Sequence, residues 1–126
     1  ALVAQGAAGE AQKLIEAVVD AAANDDWPSE LLAIYGRLTG GDLNGRIARA
    51  EAWLRQHPDD ARLLDALGRM CLQQRLWGKA QSYFEASLAV EPTQQTHLEL
   101  ARLADQLERP EEANKHYRAS ALLDRR

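Results

Sequence analysis

Apolar residues recur along this chain with a helical period. Leu14, Ile15, Val18, Val19 and Ala22 fall at i, i+1, i+4, i+5 and i+8, which gathers them on one side of a helix. Leu31, Leu32, Ile34, Tyr35 and Leu38 form a second stripe, and Ile47, Ala50 and Leu54 a third. Strict alternation never lasts long enough to specify a strand. Breakers stand at Trp27-Pro28, Gly40-Gly41, His57-Pro58, Glu91-Pro92 and Arg109-Pro110. The pattern predicts an all-α chain of about seven helices, each of roughly 12–15 residues, whose short connections force neighbours to run antiparallel. Asp42 and Thr93 suit N-caps, and Pro110-Glu111-Glu112 suits a first turn, with proline at N1 and carboxylates at the positive helix end. Residues 1–8 read as a frayed end of something larger.

The segment Leu63 to Pro92 has a counterpart later in the chain. At an offset of 33, Leu67, Gly68, Arg69, Ala80, Phe84 and Ser87 meet Leu100, Ala101, Arg102, Ala113, Tyr117 and Ser120. At an offset of 34 in the other direction, Leu88 meets Leu54 and Pro92 meets Pro58. This period and these residue types resemble the tetratricopeptide repeat, two antiparallel helices in about 34 residues. The resemblance implies a right-handed solenoid of antiparallel helix pairs. It makes Leu67, Gly68, Ala80, Phe84 and Pro92 framework positions, with Ala101, Ala113 and Tyr117 their equivalents. Gly68 and Ala80 are the small residues where the two helices of one unit touch, Phe84 fills the gap to the next unit, and Pro92 ends the second helix. Leu64 and Cys71 stand where the pattern has Trp and Tyr, so the interior there is less bulky. The whole chain, 1–126, reads as one domain: half a repeat over 9–24, a degenerate repeat over 27–60, and repeats over 61–93 and 94–124. The half repeat has Ala11, Ile15 and Val18 at second-helix spacing. In the degenerate unit Ala33-Ile34 replaces Leu-Gly, and Arg46 falls where alanine belongs.

A narrower likeness rests on Ala50-Glu51-Ala52-Trp53-Leu54, His57-Pro58, Leu67-Gly68-Arg69, Leu76-Trp77-Gly78-Lys79-Ala80-Gln81 and Ser87-Leu88. These resemble the C-terminal repeat region of the HemY family, proteobacterial inner-membrane proteins associated with late protohaem biosynthesis. The likeness covers about half the chain. It implies a membrane-anchored parent in the inner membrane, with this part a soluble, cytoplasmic domain. It also implies a scaffolding role in tetrapyrrole metabolism, with haem-pathway enzymes as candidate partners. No catalytic motif carries over.

Composition narrows the chemistry. The 126 residues hold 15 basic and 19 acidic side chains, a net charge of −4. No lysine or arginine run forms a nucleic-acid footprint, so nucleic acid is not an expected partner. "LIEAVVDAAA" is broken by Glu16 and Asp20 and falls well short of the roughly 18–20 residues of a bilayer span. The chain opens on Ala1, not Met, and reads as a soluble piece of a longer protein. One cysteine, Cys71, excludes an internal disulfide and a cysteine zinc cage, and it suits a small buried apolar position. His57, His97 and His116 show no ligand spacing such as His-x3-His, and no metal or cofactor is expected. Asp59-Asp60 and Glu111-Glu112 sit at helix starts as capping or dipole partners, unlike a carboxylate pair converging across a cleft. No nucleophile has a base beside it, and the chain reads as a non-enzyme.

Solenoids of this kind bind extended peptides or helices on the inner face lined by the first helix of each unit. That face should carry Arg62, Asp65, Arg69, Leu72 and Gln73 in the middle unit, then Gln95, Leu98, Arg102, Asp105 and Gln106 in the last. Arg69 and Arg102 are in phase, so two guanidiniums should share one groove. They suit carboxylates of a protein partner or, in a second reading, the propionates of a directly bound porphyrin or haem. The apolar end formed by Leu14, Ile15, Val18 and Val19 should favour weak self-association.

Overall fold

Seven helices account for nearly all of the described chain: α1 (Leu2–Ala21), α2 (Ser29–Arg37), α3 (Leu43–Gln56), α4 (Ala61–Gln73), α5 (Trp77–Val90), α6 (Gln94–Gln106) and α7 (Pro110–Asp124). The computed structural model describes residues 2–23 and 26–124, with side chains from Gly6 onward. No strand occurs among the described residues. The N-terminal end differs from its expected fraying, because α1 is helical from Leu2. Alanine, the best helix former, carries the helix through Ala4, Ala7 and Ala8, and Ala8 is buried.

The remaining helices start where side chains can satisfy their free N–H groups. Asp42 accepts from Gly45 N, Asp60 from Arg62 N and Leu63 N, and Thr93 from Thr96 N. Helix α7 begins at Pro110, with Glu111 and Glu112 in its first turn. Helices α4 and α6 end alike. Arg75 N donates to Leu72 O and Leu76 N to Cys71 O; 33 residues on, Glu108 N donates to Asp105 O and Arg109 N to Ala104 O. Both are Schellman closures, and both hold a non-glycine residue in the left-handed region, Arg75 at φ 59 and Glu108 at φ 58.

Helix α4 packs along α5, and α6 along α7. A Cβ on Gly68 would lie 2.6–2.9 Å from the Phe84 ring, so the absent side chain makes room for the phenylalanine. Leu67, Ala80, Phe84 and Ala101 are fully buried and Ala113 nearly so. The Ser87 hydroxyl donates to Ala61 O at 2.8 Å, and the Ser120 hydroxyl to Gln94 O at 3.4 Å, the same bond one period later. Tyr117, the counterpart of Phe84, instead remains 38% exposed, and its hydroxyl donates to Asp105 at 2.8 Å.

The first hairpin departs from this scheme. Helix α2 packs along α4 and not along α3. Gly36 allows that approach, since a Cβ there would lie 2.7 Å from Ala66 Cα and Cβ. In the first turns of α3 stands Arg46, fully buried, where the other hairpins carry Ala80 and Ala113. Its Nη1 donates to Gln12 Oε1 and Gly40 O and its Nη2 to Leu38 O, while Nε lacks an acceptor among the described residues. Gly40 and Gly41, both at positive φ, turn the chain around this guanidinium; a Cβ on Gly41 would meet Arg46 Nη1 and Gln12 Oε1 at 3.1 Å. Desolvation lowers the Arg46 pKa, against the opposing pull of Tyr35, Asp42 and Glu16.

Two apolar clusters result. The first joins α1 to α4 through Ile15, Val19, Leu32, Tyr35, Ile47, Trp53, Leu63 and Met70, among others. The second joins α4 to α6 through Cys71, Ala80, Phe84, Leu100 and Leu103. Tyr83 packs against both. Cys71 is fully buried and its thiol pKa is raised by that burial, which makes it an inert core residue. No helix among the described residues is long and apolar enough to cross a membrane.

Candidate functional site

Helix spacing sets the face shared by α4 and α6. Asp65 and Arg69 lie one turn apart on α4, and Arg69 Nε donates to Asp65 at 2.8 Å. The other Asp65 oxygen accepts from Thr96 Oγ1 on α6 at 2.9 Å, and that hydroxyl in turn accepts from the capping Thr93. Glu99, one turn beyond Thr96 on α6, meets Arg69 Nη1 at 3.6 Å and Arg102 Nη1 at 3.3 Å. The result is an alternating line of charge, Asp65–Arg69–Glu99–Arg102, that crosses from α4 to α6. Arg69, Asp65 and Glu99 have side chains only 16%, 18% and 14% exposed; Arg102 is 63% exposed. Such partly buried pairs are held more firmly than surface ones because solvent screens them less. Arg69 Nη2 is buried without an acceptor among the described residues.

The candidate residues therefore divide. Arg62 and Arg102 are exposed, and among the described residues Arg62 has a long 3.9 Å pairing with the exposed Glu30. Leu72 and Leu98 are half-buried, and Leu72 rests against the second cluster. Gln73 donates to Leu38 O at 3.2 Å, the carbonyl that also accepts from Arg46, and so ties α4 to the α2–α3 turn. Asp105 accepts from Tyr117, which ties α6 to α7. Gln95 and Gln106 are exposed. Helical phase pairs Arg69 with Arg102 but does not reveal Glu99, which binds both. The Asp65–Arg69 spacing was visible in the chain; the Glu99 contact needs the placement of α6 against α4.

A recess of about 120 Å³ opens at the N-terminal ends of α4 and α6. Ala33, Ala61, Arg62, Asp65, Ser87, Glu91, Thr93 and Thr96 line it. It is mixed in character, one cation and two carboxylates among hydroxyls and alanines. Of the histidines, His57 stacks on Trp27 with ring centroids 3.8 Å apart, and Trp27 Nε1 donates to the capping Asp60 at 2.6 Å. His97 and His116 come together, Nδ1 to Nδ1 at 3.0 Å, 19 residues apart in sequence. Burial lowers both of their pKa values, helped by the Lys115 charge and, for His97, by His116 itself. No group of three or more His, Cys, Asp or Glu side chains among the described residues is arranged to hold a metal ion. Comparison with family models, curated proteins and solved structures gives no match to this chain.

Proposed function

We propose that the chain is a tetratricopeptide-type repeat array that docks a protein partner on its α4–α6 face. The supporting observation is the structural recurrence at 33 residues: the same Schellman closure and the same serine-to-carbonyl bond in α4–α5 and α6–α7. The first helices of the two units are bridged by the Asp65–Thr96 and Arg69–Glu99 contacts, and first-helix faces serve as binding surfaces in stacked repeats. Within that class, the HemY-like motifs suggest a scaffold supporting late protohaem synthesis from a membrane-anchored parent, on the cytoplasmic side of the inner membrane. Docking of a haem-pathway enzyme is the leading reading, with no catalytic role for the chain itself.

The charge line modifies how a partner is held. Arg69 already has two carboxylates, so Arg62 and Arg102 are the cations left to meet acidic partner residues, with Leu72 and Leu98 as apolar neighbours. Exposed pairs contribute only about 0–1 kcal/mol each, so the leucines must supply much of the affinity. The test is direct binding of purified late-pathway enzymes to the chain and to Arg62→Glu/Arg102→Glu. Loss of binding with unchanged helicity and melting supports the reading; undiminished binding overturns the assignment of this face. Haem titration is the control. A stoichiometric Soret shift removed by the same substitutions would replace docking with the porphyrin-carrier reading.

A further inference from the structure

We propose that His97 and His116 form a two-imidazole site for a divalent transition ion of tetragonal preference, Cu²⁺ or Ni²⁺, at the α6–α7 seam. The two Nδ1 atoms stand 3.0 Å apart, with ring centroids at 5.2 Å and planes inclined by 38°. Metal–imidazole bonds of about 2.0–2.1 Å place neighbouring nitrogens roughly 2.8–3.0 Å apart at a square corner and about 3.3–3.4 Å apart on a tetrahedral edge. The observed separation matches the square corner, so a turn of the rings that aims both nitrogens at one ion suffices, whereas Zn²⁺ also needs them to open by a few tenths of an ångström. The chelate is held by tightly packed helices, so the second nitrogen binds at little further entropic cost.

The surroundings decide how strong the site is. Both rings are partly buried, and that burial lowers their pKa values, which favours the neutral imidazoles that a metal ion requires. Glu85 and Glu112 place negative charge near His116, and Lys115 opposes a cation. No third ligand completes the set among the described residues, so a bound ion would take water or a partner's donor in its open positions. Without metal, one imidazole N–H donates to the other nitrogen.

The experiment is calorimetric titration of the chain with CuCl₂ and NiCl₂, alongside His97→Gln, His116→Gln and His57→Gln. One ion per chain should bind, with affinity falling at least about tenfold in either seam variant and unchanged in His57→Gln. Equal affinity in all four proteins, or no binding, overturns the site and leaves a plain hydrogen bond. Because a seam variant can lose stability, the wild-type protein supplies a second readout. Substoichiometric Cu²⁺ should broaden the ring-proton resonances of His97 and His116 before that of His57, and broadening in any other order also overturns the site.

Discussion

Close contacts at single residues set the geometry of the two regular hairpins. Gly68 is not merely permissive, because a methyl group there would stand within 2.9 Å of a ring that is wholly buried and cannot swing away. Gly68→Ala should therefore cost about 1–3 kcal/mol despite the better helix propensity of alanine, and Phe84→Leu should relieve part of that cost. A double-mutant cycle by urea denaturation measures this coupling. Arg75 and Glu108 make the opposite case. Each occupies a left-handed position that favours glycine, so Arg75→Gly and Glu108→Gly should each raise stability by roughly 0.5–1 kcal/mol, read from the same denaturant midpoints. Arg46 carries the largest local departure from the repeat. Replacing it with alanine leaves a cavity and strips the bonds to Gln12, Gly40 and Leu38, for an expected loss of about 2–4 kcal/mol; Arg46→Met, which keeps the volume, should cost less. The small residues and the misplaced arginine were legible in the chain. Their contacts were not, because Gly68 faces Phe84 through the turn geometry, and Gly36 faces Ala66 through a packing of α2 that no local pattern encodes.

At the level of elements, polar seams join what the apolar stripes leave open. Helix α1 presents Gln12, Glu16 and Asp20 one turn apart: Gln12 meets Arg46, Glu16 accepts from Tyr35 at 2.6 Å, and Asp20 accepts from Arg49 and Trp53. In the sequence Glu16 and Asp20 appear as interruptions of an apolar run; in the fold they fasten that helix to α2 and α3. Helix α3 is tied to α5 in the same way, with Glu51 accepting from Tyr83 at 2.6 Å and from Lys79 at 3.3 Å. The Tyr83 hydrogen bond holds the Glu51 carboxyl below its ordinary pKa; partial burial opposes this and Lys79 adds to it. The unfolded chain then binds more protons than the folded one just below the ordinary glutamate range. Stability from this contact is full above that range and is lost as pH falls through the depressed folded value. Tyr83→Phe should flatten the acid limb of the stability profile, and an unchanged limb in urea melts across that window would show that the contact contributes nothing. Helix positions were readable because prolines and glycines punctuate them and caps open them. The cross-links needed the third dimension: Glu51 and Tyr83 lie 32 residues apart on helices that no local spacing connects.

Over the whole molecule, the two apolar clusters leave part of α1 uncovered. Of the four apolar residues on α1 expected to form an open end, Ile15 and Val19 are buried, at 7% and 1% exposure. Leu14 and Val18 stay 68% and 43% exposed, one turn apart, and Ile34 on α2 is 53% exposed. The stripe in the sequence is thus two faces, one spent on the core and one open to a neighbour. Fully covering an apolar side chain of this size contributes roughly 1.5–3 kcal/mol, so a symmetric contact between two copies gains several kcal/mol in all. Association itself costs about 4–15 kcal/mol, which offsets most of that gain and leaves only a weak dimer. Sedimentation equilibrium should show reversible self-association, with a dissociation constant on the order of 0.1–1 mM, equivalent to about −4 to −5.5 kcal/mol. Leu14→Glu/Val18→Glu should abolish it without changing the melting temperature, because neither side chain contributes to the buried clusters. A wild-type chain that remains monomeric at millimolar concentration would exclude this face as a contact between copies.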